Sequence, residues 1–382
     1  MAANGGKKPV FVMFGGISAE HEVSVITGLQ VVEKIDRDHY LPHVILVSKR
    51  GEFFYLSNLE SRTQFLSAPR REVTFGADEN GGFMCTPGLF GKKIYPYAAY
   101  LAFHGGIGEG GGIQGMLESL RIPFTSAGQE SSVICINKQI MKDLVEKTGV
   151  IVVPGVSIFA KDVRGDVDAT ARKMMDTLSL PVIIKPAHLG SSIGISIART
   201  EIELQKHLLE AVHMDSEILV EKLLADFVEY NCSVRNLGEE VQTSVIERPI
   251  KRDEVLSFAD KYERGGKRQS GMASLDREIP AKIDSRLKAR IEDAARKVYG
   301  ACRAKGVVRI DFMYTKHDDI LYITEPNSIP GSMAFYLWEA AGISFKQQIT
   351  DSLEQAVLDA KESSDLNLEY KSDIVEKFVR SL

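Results

Sequence analysis

Val307-Val-Arg-Ile-Asp-Phe-Met-Tyr314 and Ile320-Leu-Tyr-Ile-Thr-Glu-Pro-Asn327, joined by the polar turn Lys316–Asp319, read as an antiparallel hairpin. The turn sets Asp311 opposite Glu325 and Arg309 opposite Asn327, and period-two alternation puts all four side chains on one face. Two carboxylates about 5 Å apart at an effective dielectric of about 20 repel by about 3 kcal/mol, a cost that cross-strand pairs normally avoid. A divalent cation removes it, and two carboxylates with an amide oxygen form a hard-ligand set suited to Mg²⁺. The competing explanation is a solvated polar face on which Arg309 neutralises both acids. Pro326 lacks an N–H and belongs at a strand end or edge.

Working outward, Lys185-Pro-Ala-His-Leu-Gly-Ser-Ser-Ile-Gly194 places a lysine at a strand end before a small-residue loop whose backbone N–H groups are free to wrap an anion. No G-K-[ST] follows, and Ile193, Ile195 and Ile197 continue as a strand, so this is not a Walker A loop. Gly190-Ser191-Ser192-Ile193-Gly194 matches the nucleophile elbow of serine hydrolases, but an elbow opens a helix and needs a later Asp and His. At the N-terminus, Pro9–Phe14 reads as a strand, Gly15-Gly16 as a tight turn and Glu20 to Lys34 as a helix. His43–Ser48 and Ala98–Phe103 add strands, which gives a parallel sheet whose working edge carries Glu20, His104 and Glu109. Gly51 to Tyr95 reads as irregular hairpins. Gln129–Gly149 reads as a helix, Asp284–Tyr299 as another, and Tyr370–Leu382 as a short amphipathic helix packed on the body.

The 382 residues are enough for two or three cores, and 44% hydrophobic content excludes disorder as the main state. A net charge of −5 from 47 basic and 52 acidic residues provides no field for a phosphate backbone, so nucleic acid is not expected as a partner. No apolar run reaches the length of a membrane span and no signal peptide is legible, which points to a cytoplasmic protein. Cys85, Cys135, Cys232 and Cys302 lack metal or redox spacing and read as reduced thiols. No G-x-G-x-x-G is present, so a nicotinamide cofactor has no support.

Taken in order, Gly15-Gly-Ile-Ser-Ala-Glu-His-Glu-Val-Ser24, His104-Gly with Gln114-Gly115, Asn137-Lys138, Lys185-Pro to Gly194, Glu221-Lys222, Lys261-Tyr262, Arg309-Ile-Asp311 and Glu325-Pro-Asn-Ser-Ile-Pro-Gly331 resemble the D-alanine:D-alanine ligases of the ATP-grasp superfamily. The resemblance implies a mixed α/β and α+β, three-domain ATP-grasp fold: an N-terminal parallel-sheet domain (1–128), a central lid domain (129–220) and a C-terminal domain (221–382). It implies ATP as co-substrate with two Mg²⁺ or Mn²⁺ ions, D-alanine as substrate, no membrane partner, and a homodimer. Carried over position by position, it puts Lys138, Lys185, Ser191 and Ser192 on the ATP phosphates, and Glu221, the Lys222 to Leu224 backbone and Glu229 on adenine and ribose. Asp311, Glu325 and Asn327 would hold the metal. Glu20 and His104 would bind the first amino acid, Ser191 and Tyr262 would tie the lid to it, and Lys261 would touch the transferred phosphate. Arg309 and the Gly331 backbone would face the oxyanion, and Arg309, Ser332, Tyr336 and Leu337 the second carboxylate.

Three positions depart from the family pattern. Asn137 replaces the usual Asp before the lysine, the Phe258–Tyr262 loop is short, and Tyr336 stands where many members have serine. The expected function is ATP-dependent joining of two D-alanines for peptidoglycan precursors. A ligase taking D-lactate or D-serine second, a non-catalytic nucleotide-binding regulator and a serine hydrolase are the alternatives.

Overall fold

The computed structural model describes residues 6–86, 88, 91–250, 277–364 and 372–381. Its first core forms around the strand Lys8–Gly15, which pairs in parallel with Tyr40–Val47 and with Ala98–Leu101. Val10 to Phe14 are fully buried, as a continuous apolar run covered on both faces requires. The Ser24 hydroxyl, on the helix His21–Lys34, accepts the Gly15 N–H at 2.7 Å and donates to the Ala102 carbonyl at 2.8 Å. One side chain thereby fixes two strand ends at the sheet's carboxyl edge.

The stretch from 51 to 95 is more ordered than expected. Phe53–Leu56 and Arg70–Glu72 extend the first sheet antiparallel to its edge. Thr74–Asp78, Gly81–Cys85 and Lys93–Ile94 make a separate three-stranded sheet. These strands are short and carry little alternation, which hid them in the sequence.

A second core lies under the antiparallel sheet of Gly155–Phe159, Glu217–Lys222, Val182–Pro186 and Ser196–Ala198. The helices Val167–Leu178 and Glu201–Ala211 bury Ala171, Met174, Leu204 and Leu208 against it. The strand expected from Ile193 begins only at Ser196, because Ser191 and Ser192 take left-handed backbone angles (φ 52° and 60°). The segment is therefore a turn between two antiparallel strands, and no helix opens after it. That removes the nucleophile elbow.

The third sheet orders Arg277–Glu278, Glu240–Pro249, Phe227–Leu237, Val308–Thr315, Ile320–Asn327 and Ile151–Val152. The helix Ser285–Ala301 packs Leu287, Ile291, Ala295 and Val298 onto it, capped by Asp284, which accepts the Leu287 N–H at 2.8 Å. The helix expected over 129–149 breaks into Gln129–Ile136 and Lys138–Val145. Asn137 causes the break: its carboxamide oxygen accepts the Gln139 and Ile140 N–H groups and restarts the helix as an N-cap. Ile349, Leu353 and Ala356 of the last long helix, Phe345–Ser364, bury in the first core and close the chain back onto its beginning.

The terminal helix Ile374–Arg380 forms, but not where the sequence placed it. Ile374, Val375, Phe378 and Val379 are 62–74% exposed, so its apolar side does not pack on the body. Among the described residues, no helix is long and apolar enough to cross a membrane.

Candidate active site

A polar row crosses the third sheet on one face: Glu247 pairs with Asn231, Asn231 with Asp311, and Asp311 with Glu325. Arg309 faces Asn327, in the register that the hairpin spacing predicts. A bulge follows Asp311, so Phe312 pairs with Ile323, and Thr324 is left to donate its hydroxyl to the Asp311 carbonyl at 2.9 Å. Arg309 grips the Asp311 carboxylate with Nε and Nη2 at 2.7 and 2.8 Å. Lys138 Nζ lies 3.6 Å from Glu325 Oε2.

From the sequence, the repulsion in this row is left to a metal; in the structure two cations of the chain take part of it. They do not take all. Burial, with Glu325 and Glu247 nearby, keeps Asp311 above the ordinary carboxylate range despite the guanidinium fork. Among the described residues Arg309 Nη1 is buried without a hydrogen-bond partner, a costly state unless a ligand accepts from it. The face has hard oxygen donors on Asp311, Glu325 and Asn327 and an outstanding need for positive charge, and those residues fit a divalent cation.

Opposite stands the small-residue loop. Lys185 Nζ reaches Glu221 Oε2 at 2.5 Å, and Lys142 pairs with the other oxygen of that carboxylate. Burial opposes the charge on Lys185, but Glu221 outweighs it and holds the pKa above its usual value. Gly194 is required where the loop closes, since φ is +73° and a Cβ would meet Met214 Sδ at 2.6 Å. One cavity gathers Lys138, Lys185, Ser192, Glu221, Lys222 and Leu224 from the loop side with Glu229, Arg309, Asp311 and Glu325 from the sheet.

A second cavity, lined by Ser18, Glu20, Gly105, His188 and Gly190, adjoins the loop's other side. Ser191 donates its hydroxyl to Glu20, a contact across 171 residues of chain. Glu20 itself is 7% exposed. His104 is buried with Nε2 2.8 Å from Thr27 Oγ1, and Thr27 in turn accepts the Ser332 N–H at 3.2 Å. Burial pushes its pKa down to about 4, so at neutral pH it is an uncharged hydrogen-bonding link. Burial, with Glu20 adding, lifts Glu109 to about 7.

These two groups have opposite consequences for stability. The fold favours neutral His104, so its contribution is complete above the unfolded pKa of about 6.5 and is lost as pH falls towards 4; the shift corresponds to about 3 kcal/mol. Glu109, raised, contributes the other way, losing stability as pH rises through 7. Urea midpoints at about pH 7 and pH 4.5 are expected to differ less in His104→Gln than in the wild type. An equal drop in both proteins would show that His104 is not responsible.

Beyond Gly331 the chain makes a left-handed turn at Ser332, Met333 and Ala334, with φ of 51°, 54° and 48°. Such angles cost about 1–2 kcal/mol for each non-glycine residue. Gln348 Nε2, donating to the Met333 carbonyl at 2.7 Å, and the Thr27 contact hold it. Tyr336 lies under the Arg277 guanidinium at 4.2 Å. Leu337 is fully buried and Ser332 is 2% exposed. Lys261 and Tyr262 lie outside the described residues.

Sequence patterns did not single out Glu247, Asn231, Arg277 or Lys142. Glu247 and Asn231 join the row by cross-strand register, and Arg277 reaches Glu247 at 2.8 Å. Lys142 carried a usable signal, since it follows Lys138 by one helical turn on the same face.

Residues 9–127 match the family described as D-ala D-ala ligase N-terminus, and residues 144–354 match D-ala D-ala ligase C-terminus. The D-alanine–D-alanine ligase of Thermosipho africanus (strain TCF52B) is 33% identical over 352 residues, covering 91% of this chain and 92% of that protein. The one from Thermoanaerobacter sp. (strain X514) is 31% identical over 370 residues, 92% of this chain and 97% of that protein. Among solved structures, the VanG D-Ala:D-Ser ligase from Enterococcus faecalis superposes with a TM-score of 0.77 at 26% identity, covering 92% of this chain and 99% of that one. The D-alanine-D-alanine ligase from Coxiella burnetii gives 0.76 at 23% identity, covering 94% and 97%. Two matches that together cover most of the chain, and relatives alike over nine-tenths of their length, establish that the chain belongs to the D-alanine–D-alanine ligase family.

Proposed function

We propose that this protein joins two D-alanines at the expense of ATP, through an acyl phosphate, and that the cavity between the small-residue loop and the polar row is where it does so. The observation that carries this is the pairing, across one cavity, of Lys138 and Lys185 with the Arg309–Asp311–Glu325 face. Lysines and loop N–H groups position a triphosphate, and the acids opposite need the cation that accompanies it. Glu221 and Glu229, with the Lys222–Leu224 backbone, are assigned to adenine and ribose. Asp311, Glu325 and Asn327 would hold Mg²⁺, which would supply charge neutralisation on the transferring phosphoryl group. Three domains, 1–128, 129–220 and 221–382, belong to the same reading, although the cores divide differently: Ile134, Met141 and Val150 pack with the third sheet, and Ile329, Phe345 and Leu353 with the first core. A cytoplasmic homodimer is part of the same reading.

A carboxylate is a poor electrophile, and phosphoryl transfer needs positioning more than a protein nucleophile. The first D-alanine's carboxylate oxygen bonds to the γ-phosphorus and ADP leaves. The second D-alanine's amine attacks the acyl carbon, and the tetrahedral oxyanion takes the spare Arg309 N–H and the Gly331 N–H. The C–O bond then breaks, phosphate departs, and the amine proton passes to solvent. Glu20, tied to the loop by Ser191, is placed to accept the first ammonium group. Tyr336 and Ser332 border the second carboxylate's place; Leu337, buried, supports that wall from behind.

Phosphate release with purified protein, ATP and Mg²⁺ tests this directly. D-alanine alone is expected to suffice. Turnover only with D-alanine plus D-lactate or D-serine would reassign the second substrate, and no turnover with any amino acid would favour a nucleotide-binding regulator. Glu20→Gln is expected to raise the KM for the first D-alanine about tenfold or more, with the KM for ATP nearly unchanged, as loss of a charged partner predicts. Unchanged apparent affinity for D-alanine would remove Glu20 from that role.

A further inference from the structure

The joint between the small-residue loop and the Lys138 helix is an imidazole whose tautomer the hydrogen bonds determine. Asn137 Oδ1 accepts the Gln139 and Ile140 backbone N–H groups, each at 3.0 Å. Backbone N–H groups only donate, so this carboxamide has one possible orientation and its nitrogen faces the other way. There Nδ2 lies 2.9 Å from Glu217 Oε2 and 2.9 Å from His188 Nε2. An amide nitrogen does not accept, so His188 Nε2 is the acceptor and the ring proton sits on Nδ1, 3.0 Å from Asp215 Oδ1. The His188 N–H donates to the same carboxylate at 2.7 Å. On either side of His188, Ala187 O accepts the Lys138 N–H at 3.2 Å and Leu189 O accepts Lys138 Nζ at 2.6 Å.

We propose that Asn137 and neutral His188 form a proton-sensitive latch that positions the 188–194 loop against Lys138 for nucleotide binding, and that protonation of the ring opens it. This deepens the assignment above and rests on it, since Lys138 and the loop are read there as the phosphate site. A second ring proton would set Nε2–H against the Asn137 NH₂ group. Glu217 Oε2 lies 4.0 Å away, beyond hydrogen-bond reach, so the charged ring can pair there only by moving off its contact with Asn137.

The charged groups facing the ring are Asp215 and Glu217, just before and at the start of the neighbouring strand, Lys138 from the helix, and Glu20 and Lys49 across the second cavity. The Asp215 hydrogen bond raises the ring's pKa above its ordinary value, opposed by burial and Lys138. The latch is closed above that pKa and opens as pH falls through it.

The test is ADP binding with Mg²⁺, by calorimetry on the full chain from about pH 5.5 to 8.5, in wild type, His188→Gln and Asn137→Asp. Titration of ADP itself is common to all three and cancels in ratios. Glutamine offers Asn137 an oxygen that does not titrate, so wild-type affinity is expected to fall about tenfold relative to His188→Gln towards acid pH. Asn137→Asp keeps the cap but gives Nε2–H an acceptor, and its acid loss is expected to disappear. A wild-type to His188→Gln ratio that stays constant with pH, or an acid loss retained in Asn137→Asp, overturns the latch while leaving the phosphate site standing. No ADP binding by the wild type at any pH overturns the phosphate site and the latch with it.

Discussion

Arg309→Lys is expected to lower kcat by about 10²–10³-fold, the usual effect of removing one preplaced oxyanion donor, while the KM for ATP changes little. Two of the guanidinium's nitrogens are committed to Asp311, at 2.7 and 2.8 Å, and the third is buried with no acceptor among the described residues. That spare N–H is what the oxyanion would use. An ammonium in the same place can neutralise Asp311 as a point charge but cannot hold a bidentate grip and present a further fixed donor. Arg309→Ala is a poorer probe, because it also strands a buried carboxylate and would unfold part of the sheet. Stopped-time phosphate release at saturating D-alanine distinguishes the cases, and a kcat within about threefold of wild type would mean that Arg309 only balances Asp311.

Glu325→Gln is expected to abolish Mg²⁺-dependent turnover while the protein stays folded. A bound cation is worth several kcal/mol of charge stabilisation in phosphoryl transfer, which at about 1.4 kcal/mol per decade is about 10³-fold or more in kcat. The folding effect is small for a different reason. The Glu325 side chain is 28% exposed and its pairing with Lys138 is long, at 3.6 Å, so the lost pair is worth no more than about 1 kcal/mol. Melting curves within a few degrees of wild type, beside lost activity, fit a metal ligand. Full activity would contradict the metal assignment, and a collapsed melting temperature would mark Glu325 as structural.

What the sequence made legible depended on how local the cause was. The hairpin register came through because a turn and a period of two fix it, and Asp311 does face Glu325. That Arg309 turns onto Asp311 was open from sequence, since two residues apart on one strand face places them together without saying which acid the guanidinium takes. The bulge after Asp311 was invisible, because nothing in Phe312 or Thr324 marks the slip. Asn137 read as helix interior by periodicity, yet its short carboxamide satisfies two backbone donors better than continued helix would. The Glu247–Arg277 pair joins two strands by tertiary register and is written in no local pattern. The terminal helix shows the opposite failure: Ile374, Val375, Phe378 and Val379 form an apolar side, but amphipathicity names a face without naming what covers it.

The most direct measurement is a crystal of the protein grown with a non-hydrolysable ATP analogue and Mn²⁺, examined for anomalous scattering. The predicted result is a manganese peak about 2.1–2.2 Å from oxygens of Asp311, Glu325 and Asn327, with the triphosphate between it and the lysines at 138 and 185. A nucleotide bound elsewhere, or these three side chains without an ion beside a bound triphosphate, would contradict the account.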